Sequence, residues 1–181
     1  MTLPNSPFTL AMPIDQNDHT LGPASAIVTL VEYGDFECPS CGQAYPAVNM
    51  LLKHFEGRVR FVFRQFPLRE VHSHAALAAE AAEAAAAQQQ FWPMHNLLFE
   101  HQHHLKAASL RQYAGQAGLD LNRYDHEMSD HVYLQRVQEH IESGTRSGVR
   151  GTPAFFVNGV LQDSSFGFQP LQTAIDAALR V

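Results

Sequence analysis

Cys38 and Cys41 stand two residues apart in a chain of 181 residues that holds no other cysteine. One close pair cannot staple a scaffold, because structural bridges need several well-separated cysteines that close long loops. The pair is therefore read as reactive. Thiol chemistry runs through the thiolate, and the N–H groups and dipole at a helix N-terminus lower a cysteine pKa from ~8.5 into a range of about 3.5–7.5. Pro39 follows Cys38 directly and suits a first helical position, where its missing N–H costs nothing. Cys38 is accordingly expected to be the nucleophile. Cys41, one helical turn further, is placed to attack a mixed disulfide on Cys38 and release the substrate, and it should be the less exposed thiol.

Such a pair needs a strand to deliver it and a helix to carry it. Residues 26–33 are β-branched and nearly all apolar, as in a central strand covered on both faces, with Glu32 as the one anomalous charge. Beyond the cysteines, Ala44, Tyr45, Val48, Leu51, Leu52 and Phe55 recur at helical spacing until Gly57. Pro46 falls inside that helix and should kink it. Residues 58–65 read as a second strand, completing a βαβ unit. From about 74 to 147 no convincing strand occurs. Residues 75–90 favour helix, another helix restarts around Pro93, Ser109 is expected to cap a third and Asp120 a fourth, and Val132, Tyr133, Val137 and Ile141 mark a fifth. Residues 153–161 form a hairpin signal centred on Asn158-Gly159, a pair suited to a type I′ turn. Leu171, Ala174, Ile175, Ala178 and Leu179 follow as an amphipathic helix begun at Pro170.

Composition narrows the function classes. The net charge is −6 and no basic stripe occurs, so nucleic acid is not an expected partner. No apolar run approaches the ~20 residues of a membrane span, so no integral membrane segment is expected. Residues 1–7 lack the charged start and apolar core of a secretory signal. As the sequence stands, a cytoplasmic location is expected; an exported one follows if a signal peptide has been removed. A structural zinc site would need about two more ligands, and His101-Gln102-His103-His104 lies in another element, so no metal site is expected.

Two motifs together resemble the DsbA-like branch of the thioredoxin superfamily: Phe36-Glu37-Cys38-Pro39-Ser40-Cys41 and Gly151-Thr152-Pro153-Ala154-Phe155-Phe156-Val157-Asn158-Gly159. The likeness runs from about Ile27 onward. It implies an α/β thioredoxin-like fold with an all-helical insertion between the βαβ and ββα halves. The thioredoxin-like domain would comprise 24–67 and 149–181, the helical insertion 68–148, and an N-terminal extension running over the surface 1–23. The resemblance also implies a cis Pro153 facing the cysteines, leaving a backbone edge at Thr152 to which substrate could pair as an added strand. Glu32 lies six residues before Cys38, where the superfamily often places a buried acid beneath the resolving cysteine. In that setting its pKa rises and it exchanges a proton with Cys41; a partly exposed strand-end glutamate is the plainer alternative.

Pro39 and Ser40 would tune the reduction potential, which spans roughly −270 to −120 mV across the superfamily. Strongly oxidising members carry histidine where Ser40 stands, and Ser40 brings no charge. Glu37 would oppose the thiolate if its charge lies close. The spacing of the histidines, His72 and His74 included, assigns them no mechanism, and most are expected to be solvated or helix-capping; Phe36, Phe66, Phe91 and Trp92 are expected to be core or to line a groove. The implied activity is disulfide exchange with protein substrates through a Cys38 mixed disulfide, served by an unidentified redox partner and without a cofactor. Oxidase, reductase and isomerase share these residues, and direction depends on potential and compartment. A redox-inactive thioredoxin-like module, using the insertion and the Thr152 edge to hold a partner, is the competing reading.

Overall fold

The computed structural model describes residues 8–163 and 167–180; residues 1–7, where the absence of a signal was read, lie outside it. Five strands form one sheet in the order β1-β3-β2-β4-β5. They are β1 (His19–Leu21), β2 (Val28–Gly34), β3 (Val59–Gln65), β4 (Ala154–Val157) and β5 (Val160–Gln162). β2 and β3 run parallel, joined through α1 (Pro39–His54), while β1, β4 and β5 each pair antiparallel with their neighbour. The helices α2 (Ala75–Ala86), α3 (Phe91–Glu100), α4 (Ala107–Gln116), α5 (Leu121–Ser129) and α6 (Leu134–Arg146) all lie between β3 and β4, and α7 (Gln169–Ala178) ends the chain. This is the thioredoxin-like α/β arrangement with a helical insertion.

Strand alternation divides the core. Val28 and Leu30 of β2 join Phe61 and Phe63 of β3 in a large cluster that includes Cys38, Cys41 and the alanines of α2. Val31, Tyr33 and Val62 point the other way, into a smaller cluster with Phe66, Val149 and Phe156. The period of two therefore assigns Glu32 to the face of Leu30 and the cysteines, and Arg64 to the face of Tyr33. The hairpin turn has positive φ at both Asn158 (45°) and Gly159 (80°), the backbone that a type I′ turn requires.

Two expectations are corrected. The chain before residue 23 does not simply run over the surface: β1 pairs with β3, Thr9 bridges Val160, and Trp92 Nε1 donates to Thr20 O. Three residues of strand between polar loops leave no periodic signal to read. Ser109 caps nothing; α4 begins at Ala107 with Lys106 as its N-cap. Asp120 does cap α5, accepting from the N–H groups of Asn122 and Arg123.

Candidate active site

β2 ends at Gly34 and α1 begins at Pro39, so the strand's exit delivers the cysteines to the sheet's carboxyl edge. Cys38 is the N-cap of α1, with extended backbone, and its carbonyl accepts from Gly42 N. Both cysteines are thiols; Cys38 is 6% exposed and Cys41 fully buried. The Cys41 thiol, facing Cys38, is the chief influence holding the Cys38 pKa down at about 5, aided by the Thr152 side chain and the N–H groups of Cys41 and Ser40 against the cost of burial. Burial, then the hydrogen bond to Cys38 and the charge of Glu32, push the Cys41 thiol well above its ordinary range. The two sulfurs thus differ in the direction that a nucleophile and a resolving thiol require.

Glu32 is 3% exposed, with Phe63 and Phe155 as its cross-strand neighbours. Among the described residues no side chain or backbone group hydrogen-bonds its carboxyl. Burial first, and the Cys38 charge second, raise its pKa to about 8. The plain reading of Glu32 as a partly exposed strand-end residue does not hold.

The peptide bond between Thr152 and Pro153 is cis. Thr152 lies against the dithiol, its carbonyl accepting from Cys38 Sγ at 3.4 Å. Its hydroxyl is buried without a partner in the dithiol state and is the side-chain donor that favours the Cys38 thiolate. Every residue singled out in the sequence for this site, Glu32, Cys38, Pro39, Ser40, Cys41, Thr152 and Pro153, falls on the β2–α1 junction or the turn into β4.

Three features escaped the sequence reading. Asp35 is 1% exposed and binds at every polar atom it has. Its N–H reaches Cys41 Sγ at 3.5 Å and its carbonyl accepts from Cys38 N at 3.2 Å. Its carboxylate accepts from Glu37 N, Leu68 N and His72 Nδ1 at 2.8, 2.9 and 2.7 Å.

Glu37 is turned away from the expected opposition to the thiolate: its two oxygens accept from His74 N and Nδ1 at 2.6 and 2.9 Å. Despite some burial, the His74 hydrogen bonds hold its pKa below the ordinary value. His72 and His74 are thus acid partners, His74 also standing at the N-cap of α2, and His95 and His140 are buried, where loss of solvent lowers each to about 4; the expectation of solvated or capping histidines is corrected for His72, His95 and His140. The spacing of Asp35 and Glu37 against that of His72 and His74, two residues in each case, was the available signal.

Gln102 is the third. Its amide donates to the carbonyls of Phe36 and Cys38, both at 2.9 Å, and so ties the insertion to the reactive turn. Gly42 makes room for it, since a Cβ there would meet Gln102 Oε1 at 1.9 Å. Phe36, Phe66 and Phe91 are core, and Trp92 packs against it. Among the described residues no cluster of three metal-ligating side chains occurs, and no helix is long and apolar enough to cross a membrane.

A family model described as Thioredoxin matches residues 15–177. The structure of oxidised BdbD from Bacillus subtilis superimposes with a TM-score of 0.87 at 22% identity, covering 98% of this chain and 100% of that one. The thiol-disulfide exchange protein alpha-DsbA2 from Wolbachia pipientis gives a TM-score of 0.73 at 18% identity, covering 90% and 88%. Among curated proteins, the Na(+)/H(+) antiporter NhaA 1 of Salinispora arenicola is 47% identical over 170 residues, which is 93% of this chain and 26% of that protein. The chain thus spans about a quarter of the length of the curated relatives it matches.

Proposed function

Since the chain belongs to the thioredoxin family, we propose that it is a DsbA-like thiol–disulfide oxidoreductase acting on protein substrates through Cys38. The observation that carries this reading is the opposed ionisation of two cysteines one turn apart, Cys38 held at about 5 and Cys41 pushed up.

At neutral pH the Cys38 thiolate attacks one sulfur of a substrate disulfide. A mixed disulfide forms and the other substrate sulfur leaves as a thiolate. Cys41 then loses its proton and attacks Cys38 Sγ; the Cys38–Cys41 disulfide forms and the second substrate sulfur leaves. Glu32, with a pKa of about 8, is the group matched in proton affinity to take that proton near neutrality. The backbone at Thr152 and Pro153 lies beside Cys38 Sγ and offers an edge on which an extended substrate segment pairs as an added strand. Pro39 sets the helix start, and the Ser40 N–H donates to the sulfur. Run backwards, the same steps oxidise a substrate dithiol, so a reducing compartment draws net reduction from the site and an oxidising one net oxidation.

The antiporter names describe proteins about four times as long. For those proteins we propose that the matching quarter supplies thiol exchange alongside the activity for which they are named. The rival reading, a redox-inactive binding module, gains nothing from a Cys38 held as thiolate.

The test is covalent trapping. Cys41→Ser should accumulate mixed disulfides with a reducible protein such as insulin, whereas Cys38→Ser should form none. Equal trapping by both variants, or by neither, would sink the assignment.

A further inference from the structure

Ionisation of Cys38 places an anion beside Asp35, a buried carboxylate whose backbone touches both cysteines. The two acidic groups stand three residues apart, and the Cys38-Pro39-Ser40-Cys41 segment carries no cation of its own. A basic group arrives from elsewhere in the chain. The loop after β3 closes on itself, with Val71 N and His72 N both donating to Leu68 O. That turn aims Leu68 N and His72 Nδ1 at the same oxygen of Asp35. The His72 side chain is 18% exposed and the Asp35 side chain fully buried.

We propose that the His72 imidazolium, held on Asp35, is the cationic partner of the Cys38 thiolate: a positioning residue for disulfide exchange whose protonation is coupled to the redox state of the dithiol. The inference rests on the reading of Cys38 as the nucleophile. Burial works against a charged ring at His72, but the Asp35 hydrogen bond and the charges of Asp35, Cys38 and Glu37 outweigh it, so its pKa is raised. Glu37, a second acid on the same segment, is bound by His74. The other titratable and charged groups of the neighbourhood are Glu32 and Cys41 on the sheet side, Arg69 and Glu70 on the same loop, and His103 and Lys106, which with Glu37 and His74 line a cavity beside Pro39. Oxidation of the thiolate–thiol pair removes two electrons and one proton from the protein, and the substrate disulfide that accepts them leaves as a thiol and a thiolate. The Cys38 charge that acts on His72 through this site disappears in that step.

Linkage makes the coupling reciprocal. The first test is made on the wild-type protein: the ring of His72, assigned in NMR spectra by its loss in His72→Gln, should titrate at a lower pH in the oxidised than in the reduced form. In reduced His72→Gln, which keeps a hydrogen-bond donor but no charge, the Cys38 titration should rise by about one pH unit, and His72→Arg should bring it back. Identical titration of His72 in the two redox states overturns the inference, as does a folded His72→Gln with an unmoved Cys38. The failures separate cleanly: a wild-type Cys38 titrating near 9 overturns the nucleophile and this inference together, whereas a Cys38 near 5 beside an indifferent His72 overturns this inference alone.

Discussion

Glu32 and Tyr33 are neighbours on β2 that point to opposite faces of the sheet, and the buried acids on the two sides, Glu32 and Asp18, are held in opposite ways. On the Tyr33 side, Arg64 donates to both carboxylate oxygens of Asp18 at 2.8 Å, to the carbonyls of Met12 and Pro13, and to the Tyr33 hydroxyl. Although burial works against the Asp18 charge, the Arg64 hydrogen bonds and charge outweigh it and its pKa is lowered. On the Glu32 side the carboxyl has Phe63 and Phe155 beside it and a pKa pushed up to about 8. A satisfied charge anchors the N-terminal segment; an unsatisfied one waits beneath the dithiol as an acid able to change state. β2 and β3 thus carry a proton reservoir, Glu32, on one face and, on the other, the arginine of a fixed ion pair.

Glu32→Gln should break the contrast most visibly. The wild-type acid has a folded pKa of about 8 against an ordinary 4.5, so the folded state binds the proton more tightly. Its contribution to stability is therefore fully present below pH 4.5 and is lost as pH rises through 8, a change of roughly 5 kcal/mol. Cys38 works in the reverse sense: its folded pKa of about 5 lies below an ordinary 9.0, so it adds stability as pH rises across that window. In the reduced protein the two effects oppose each other between pH 5 and 8, so reduced Glu32→Gln should gain stability with pH more steeply than the wild type, as urea unfolding at several pH values would reveal. Parallel curves for the two proteins would refute the reservoir.

The ion pair comes next. Arg64→Met leaves Asp18 buried without its cation and should cost about 3–5 kcal/mol in urea unfolding, with disulfide exchange by the folded fraction unchanged. A cost below about 1 kcal/mol, the worth of a surface pair, would mean that the two faces do not differ as described. The smallest effect belongs to Gln102. Gln102→Ala removes two hydrogen bonds from the reactive turn and should lower stability by about 1–2 kcal/mol, with faster alkylation of Cys41 as the turn loosens. Unchanged stability together with unchanged Cys41 protection would show that the insertion does not brace the site.

What could be read from the sequence was whatever lay in one short run. Cys38, Pro39 and Cys41 announce themselves by adjacency, Asn158-Gly159 by its turn chemistry, and the helices of the insertion by apolar spacing. Glu32 was visible as a charge in an apolar strand. Partnerships across distant elements were not visible, because neither period nor propensity records them. Asp35 meets His72 across 37 residues and Arg64 meets Asp18 across 46. Gln102 reaches Cys38 across 64 residues from a segment that drew attention only for its histidines. β1 is three residues long, too short for alternation to register, and its place at the sheet edge is decided by β3 rather than by its own composition.

The central claim, a nucleophilic Cys38 beside an inert Cys41, is tested most directly by the rate at which iodoacetamide alkylates the reduced protein as pH is raised. One thiol should react, at Cys38, with its rate rising through an inflection near 5. An inflection near 9, the ordinary value for a cysteine, or equal reaction at both thiols, would contradict it.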